Sequence, residues 1–320
     1  MVIIAFFGFP VRMPDPEVLL SGCPLRPSDA LTRMAGHYEN FPVGSLLLPR
    51  RLREPVAAIY WFARSADDIA DEGALDPATR LALLGDYREH LARIARGTPA
   101  IAGPDRERWE WLAETIRRHD LPSQLFHDLL DAFAQDVVKK RYATFAELQD
   151  YCRRSANPVG RLLLCLFGNS DEAALRESDA ICTALQLLNF CQDVAIDWQK
   201  DRIYFPADEI RTISVGESHF ARGIVDPAWQ RLFALQLDRA VSLLRSGAGL
   251  PDRLHGRVRL ELRAIIAGGE RIGERLRATG GDVFNRRPVL RTIDWLLIAL
   301  RVARLAPGPA GARAFQATAT

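Results

Sequence analysis

Apolar residues recur along most of this chain three and four positions apart, the period of an α-helix, and runs rich in β-branched residues are few. The pattern predicts helices over 54–73, 77–96, 104–119, 122–140, 144–168, 172–200, 226–246, 256–278 and 288–303, and therefore an all-α fold. Local punctuation supports the boundaries. Asp76 with Pro77 reads as cap and first helical residue, Thr144 with Glu147 as a capping box, and Pro55 as a first-turn proline. Connections are short until 201–227, where Pro206, Gly216, Gly223 and Pro227 interrupt the period. A segment of that length inside a helical domain is often functional, and this one could close over the residues that precede it.

Two of the helical stretches violate their own pattern. The apolar run 56–63 leads into Asp67, Asp68 and Asp71, and the apolar run 184–188 leads into Asn189, Asp193 and Asp197. Residues four apart share one helix face, so Asp67 with Asp71, and Asn189 with Asp193 and Asp197, form two rows of oxygen ligands. Like charges at that spacing repel by roughly 0.2–0.5 kcal/mol on an exposed helix, and by more where water is scarce. Carboxylates placed where the pattern predicts burial call for cations. Hard divalent ions suit them: Mg²⁺ takes one or two carboxylates and fills its octahedron with water and phosphate oxygens. Zinc fits poorly, because the only nearby soft ligand, Cys191, is rotated off the acidic face. The inferred ligand is a metal-bridged diphosphate.

Composition narrows the setting. The chain has 320 residues, 48% of them hydrophobic, enough for a large core. A net charge of +2 gives no reason to expect a nucleic-acid partner. The five cysteines show no CxxC spacing and point to a reducing cytoplasm. The apolar stretch 2–9 lacks the basic flank of a signal peptide, and Met13 offers a second start. No window reaches the roughly 18 apolar residues of a spanning helix, and the best one, 295–300, is bounded by Asp294 and Arg301. The expected organisation is a poorly ordered extension over 1–28, one domain over 29–305 and a disordered tail over 306–320.

Three motifs in order carry a family resemblance: Tyr60-x-x-x-Arg64-x-x-Asp67-Asp68-x-x-Asp71; Tyr151-Cys152-x-x-x-Ala156-x-x-Val159-Gly160; and Gln186-x-x-Asn189-x-x-x-Asp193-x-x-x-Asp197, followed by Asp201-Arg202-x-Tyr204-x-Pro206. Over residues 30–300 the chain resembles the squalene and phytoene synthases, the head-to-head isoprenoid synthases. Within them the stretches 37–43, 155–161 and 192–198 most resemble the hydroxysqualene synthases of bacterial hopanoid gene clusters. Condensing relatives tend to carry Arg where this chain has Gln192.

The resemblance implies a single isoprenoid-synthase domain with a central apolar cavity and the two acidic helices facing one another at its mouth. It implies Mg²⁺ as cofactor, held by Asp67, Asp71, Asn189, Asp193 and Asp197. The catalytic set it implies is Tyr60, Arg64, Tyr151 and Asn189. The substrate-binding set is His37, Phe41, Arg64, Gln186, Lys200 and Arg202. The activity expected is a lyase that ionises presqualene diphosphate and adds water, with a condensing prenyltransferase as the second reading and a non-catalytic assembly protein as a remote third. Partners expected are an isoprenoid diphosphate, a synthase that hands it over, and peripheral contact with the inner membrane. Asn157 and Glu39 are the guesses for the group holding the water, and Asn285 to Pro288 reads as a helix cap, with a membrane-facing role as its alternative. Gly281 stands where relatives commonly carry Tyr.

Overall fold

The computed structural model describes residues 48–98, 101 and 103–305, with side chains to residue 303. The expectations for His37, Phe41, Glu39 and both terminal segments lie outside those residues. The described helices are α1 (Arg50–Asp71), α2 (Pro77–Ala95), α3 (Arg106–His119), α4 (Ser123–Val138), α5 (Phe145–Ser155), α6 (Asn157–Phe167) and α7 (Glu172–Gln192). They continue with α8 (Val194–Gln199), α9 (Ala207–Thr212), α10 (Glu217–Arg222), α11 (Pro227–Ser246), a 3₁₀ turn (Leu250–Arg253), α12 (Gly256–Ala278) and α13 (Thr292–Leu305). No strand occurs among the described residues, only an isolated parallel bridge between Arg141 and Ile203. The all-α expectation holds.

The centre of the fold is α7, buried on every side from Ile181 to Gln192 and packed by α11, α6 and α12. A helix that is enclosed all round needs small contacts somewhere. Gly160 of α6 provides one: a Cβ there would come within 2.4 Å of Ser178 Oγ and 2.6 Å of Cys182 Sγ. Glycine in the Val159-Gly160 pair is therefore what lets α6 lie against α7. Gly281 has a comparable reason. Its φ of +92° disfavours a side chain, a Cβ would sit 3.1 Å from Trp229 Nε1, and that indole donates to the Gly281 carbonyl at 2.8 Å. Fully buried Trp229 occupies the space an aromatic at 281 would need.

The sequence expectations err in places for identifiable reasons. Helix α1 starts at Arg50, so Pro55 lies in its second turn, not its first. The helix expected over 144–168 is two, broken at Ala156 (φ −117°, ψ −53°), because Pro158 has no amide to continue the ladder. The helix expected over 172–200 also divides, at Asp193 (φ −104°, ψ 13°), with no proline or glycine to signal it. The segment 201–227 is not a loop poised to close: it holds α9 and α10, and Ile203, Tyr204 and Phe205 are buried in the core. Thr144 caps α5 by accepting from Glu147 N, but the Glu147 carboxylate accepts from Ala143 N, so the reciprocal half of the capping box is missing.

Candidate active site

Helices α1 and α7 each change character along their length. Their N-terminal portions line an apolar cleft, through Val56 on α1 and Ser178, Ile181, Cys182 and Leu185 on α7. Gly160 and Leu163 of α6 and Leu262 and Ile265 of α12 line it as well. Their C-terminal portions carry the acids. From Leu185, one turn brings α7 to Asn189 and a second to Asp193. The expected apolar cavity beneath an acidic mouth is thus built by two helices that run from one to the other.

The two acidic rows meet through the chain that follows α8. Arg202 Nη2 lies 2.6 Å from Asp71 Oδ1 and also donates to the Asp136 carbonyl at 3.0 Å; Lys200 Nζ is 3.6 Å from Asp71 Oδ2. Burial by itself would raise the Asp71 carboxyl, but the hydrogen bond and charge of Arg202 outweigh it and hold the group down to about 2. On the same helix Arg64 lies 2.5 Å from Asp68 and 3.7 Å from Asp67. Asp68 is nonetheless raised to about 6, because burial outweighs Arg64.

The second row is arranged differently. Asn189 Nδ2 donates to Asp193 Oδ2 at 2.6 Å, and Arg287 forms an ion pair with the same carboxylate. The reading of the 285–288 segment as a helix cap is corrected by that pair: α13 begins only at Thr292, and Arg287 belongs to the mouth. Buried Gln192 holds the same segment, donating to the Pro288 carbonyl at 2.7 Å. No hydrogen bond or ion pair reaches the Asp197 carboxylate among the described residues. Burial, and then neighbouring Asp193, push it well above the usual carboxylate range.

Beneath the mouth lies a cluster of four rings. Phe190 stacks on Tyr204 at 3.8 Å between centroids, and Tyr142 and Tyr151 lie 5.7 and 5.9 Å from Tyr204. Tyr151 donates to Asp136 Oδ2 at 2.6 Å. Asp136, on α4, is buried and raised to about 7 by loss of solvent, against the opposing charge of Arg202. Sequence reasoning passed over Asp136, yet the signal used for Asp67 was present there too, an acid between Phe133 and Val137 on an apolar face. Glu261, an acid between Leu260 and Leu262 that lines the cleft, was missed in the same way. Asn157 is buried, and its side-chain carbonyl accepts from Thr183 Oγ1 at 3.0 Å.

The donor set fits Mg²⁺ bound together with a diphosphate. No three acidic, His or Cys side chains among the described residues gather closely enough to hold an ion alone. One or two carboxylates per ion, completed by phosphate oxygens, is the usual Mg²⁺ arrangement. Buried Gln186 Oε1, Arg64 Nε and Arg202 Nε have no hydrogen-bond partner among the described residues, which leaves capacity at the mouth for a polar ligand. Tyr60 and Arg64 lie one turn apart on α1, on the way from the cleft to the acids.

Comparison with known proteins agrees with this architecture. The squalene/phytoene synthase family model matches residues 34–294. A hydroxysqualene synthase of Zymomonas mobilis is 34% identical over 71% of this chain and 74% of its own length. A phytoene synthase of Thermus thermophilus is 32% identical over 87% of this chain and 93% of its own. Among solved structures, squalene synthase HpnC from Alicyclobacillus acidocaldarius superposes with a TM-score of 0.72 at 34% identity, covering 87% of this chain and 98% of that one. A dehydrosqualene synthase in complex with ligand shares the fold, with a TM-score of 0.76 at 19% identity. Two acidic rows at the mouth of an apolar helical cleft, with the matched motifs in order, place this chain in the squalene/phytoene synthase family.

Proposed function

We propose that the protein is a hydroxysqualene synthase that ionises presqualene diphosphate and captures the resulting cation with water. The observation that carries the reading is the change along α1 and α7 from an apolar cleft to paired carboxylates flanked by arginines. That gradient matches an amphiphile with long apolar tails and a diphosphate head. In the mouth, Asp67, Asp71, Asn189, Asp193 and Asp197 are the residues that would hold Mg²⁺. When bound, the ion supplies Lewis-acid stabilisation of the departing diphosphate. Arg64, Lys200 and Arg202 add positive charge on the side of Asp71, and the planar fork of Arg202 suits phosphate oxygens.

The C–O bond breaks with its electron pair on the diphosphate, and the cyclopropylcarbinyl cation rearranges. Water oxygen then bonds to the allylic cation and a proton is released. The apolar lining keeps bulk water from quenching the cation earlier. Rings near the mouth, Tyr60 and the cluster of Tyr151, Phe190 and Tyr204, offer π faces worth roughly 0.5–2 kcal/mol each to a cation that reaches them.

Gln192 supports the lyase over the condensing reading. It fills a buried position with a neutral amide bonded to Pro288, where condensing relatives tend to carry arginine, so position 192 adds no cation beside Asp193. The condensing alternative draws on the phytoene synthase relative, whose identity is nearly the same. Product identification by mass spectrometry separates the two. Hydroxysqualene from presqualene diphosphate and Mg²⁺ alone is the expected result, whereas presqualene diphosphate or phytoene made from shorter allylic diphosphates assigns the chain to the condensing branch.

A further inference from the structure

Helix α13 shows a sharp division between its two faces. On the inner face Asp294 is fully buried, with Arg271 Nε donating to it at 2.5 Å and Arg275 Nε at 2.7 Å, and it accepts the Arg291 amide at 2.6 Å. Ile298 packs against Ala264 and Ala267 of α12. These contacts fix the helix without help from its outer face. On that outer face Ile293, Leu296 and Leu300 recur at helical spacing and are 56%, 56% and 47% exposed, and Val289 just before the helix is 39% exposed. Scattered exposed apolar side chains need no explanation, but an aligned row on one rigid helix marks a contact surface.

The charges that the segment 285–303 itself exposes have one sign, and Arg301 at its far end is paired with Glu270 and Glu274 of α12. Arg286 and Arg291 are exposed, and neither side chain has an ion pair among the described residues. No carboxylate is exposed between residues 285 and 303; the only acid there is buried Asp294. Apolar side chains bordered by exposed arginines complement a bilayer surface bearing anionic headgroups. The surface also adjoins the mouth of the site, because Arg287 reaches Asp193 and Pro288 is held by Gln192 six and five residues before Ile293. No helix of the described residues is long and apolar enough to cross a membrane, so the contact is one of lying on the surface.

We infer that the outer face of α13, Val289, Ile293, Leu296 and Leu300 with Arg286 and Arg291, docks the protein on an anionic lipid bilayer and presents the acidic mouth to its surface. The inference stands on the surface chemistry and does not depend on which product the enzyme makes.

Co-sedimentation of the full chain with vesicles of phosphatidylcholine, with and without phosphatidylglycerol, tests it. The wild type binds the phosphatidylglycerol vesicles, prefers them to neutral ones and is released by salt. The I293E/L296E pair weakens partition by about tenfold or more, and removing Arg286 or Arg291 weakens it by about fivefold each. All of these positions are exposed, so thermal melting and activity on detergent-dispersed substrate stay at the wild-type level. I293S/L296S, which adds no charge, repeats the apolar loss should the glutamates disturb folding. Wild-type protein that stays in the supernatant with anionic vesicles, or a double variant that sediments as the wild type does, overturns the inference. So does a concentration-dependent dimer in sedimentation equilibrium that the double variant abolishes, since the face would then belong to a second copy of the chain.

Discussion

The two acidic rows of the mouth are chemically alike in sequence and differ in how the fold treats them. The α1 row is surrounded by cations from two elements: Arg64 from its own helix, and Lys200 and Arg202 from beyond α8. The α7–α8 row has Arg287 on Asp193, and no hydrogen bond or ion pair reaches Asp197 among the described residues. One row is largely neutralised by the protein, whereas the other retains a partly buried carboxylate that no described side chain pairs. Desolvated carboxylates without partners are costly, so the second row is where an added cation gains most. The rows also differ in how deeply their arginines are buried. Arg202 is 7% exposed in its side chain and ties Asp71 to α4, while Arg287 is 29% exposed and pairs with Asp193.

The largest test of that division is catalytic. Asp67→Asn and Asp193→Asn should each abolish measurable turnover, a loss of about 10³-fold or more, because an amide cannot supply the carboxylate's charge to Mg²⁺. Melting curves of the apo proteins should show both variants folded. Full activity in either one removes that residue from the metal set.

Next in size is the contrast between the two arginines. Arg202→Ala leaves buried Asp71 without its main cation and should cost about 3–5 kcal/mol in urea unfolding. Arg287→Ala breaks a more exposed pair and should cost less than about 1 kcal/mol, while still weakening diphosphate binding by calorimetry. Equal destabilisation by the two would erase the distinction between the rows.

A smaller effect is expected at Asp197. Replacing it with Asn removes repulsion from Asp193 and should raise the apo melting temperature, yet reduce the further rise produced by Mg²⁺ with inorganic diphosphate. A variant that gains as much as the wild type from Mg²⁺ and diphosphate would mean that Asp197 is no ligand.

Glu261 supplies a control from the cleft, away from the rows. Its Oε2 has no hydrogen-bond partner among the described residues, and burial raises the carboxyl to about 8. The folded-state value lies above the unfolded one of about 4.3, so the folded state holds the proton more tightly. Stability from this group is complete below the unfolded value and is lost as pH climbs through about 8. Wild-type melting should therefore fall relative to Glu261→Gln as pH rises from 5 to 9, by several times the few degrees that 1 kcal/mol represents, since each unit between the two values is worth about 1.4 kcal/mol. A constant difference across that range would show that Glu261 is not protonated in the folded protein.

The sequence by itself determined the helical class, most helix positions and the identity of both acidic rows. Periodicity reports which face of a helix is buried, and an acid on such a face stands out wherever the rest is apolar. The same contrast was present at Asp136 and Glu261, single acids with no second member four residues away to draw attention. Only the tertiary structure decided the rest. The break at Asp193 carries no local signal, because the contacts that hold that side chain come from Asn189 and from Arg287, 94 residues away. Gly281 is settled by Trp229, 52 residues distant, whose indole fills the space. Pairings between segments so far apart depend on how helices stack, and stacking is set by the joint packing of all their buried faces, which no single window of sequence contains.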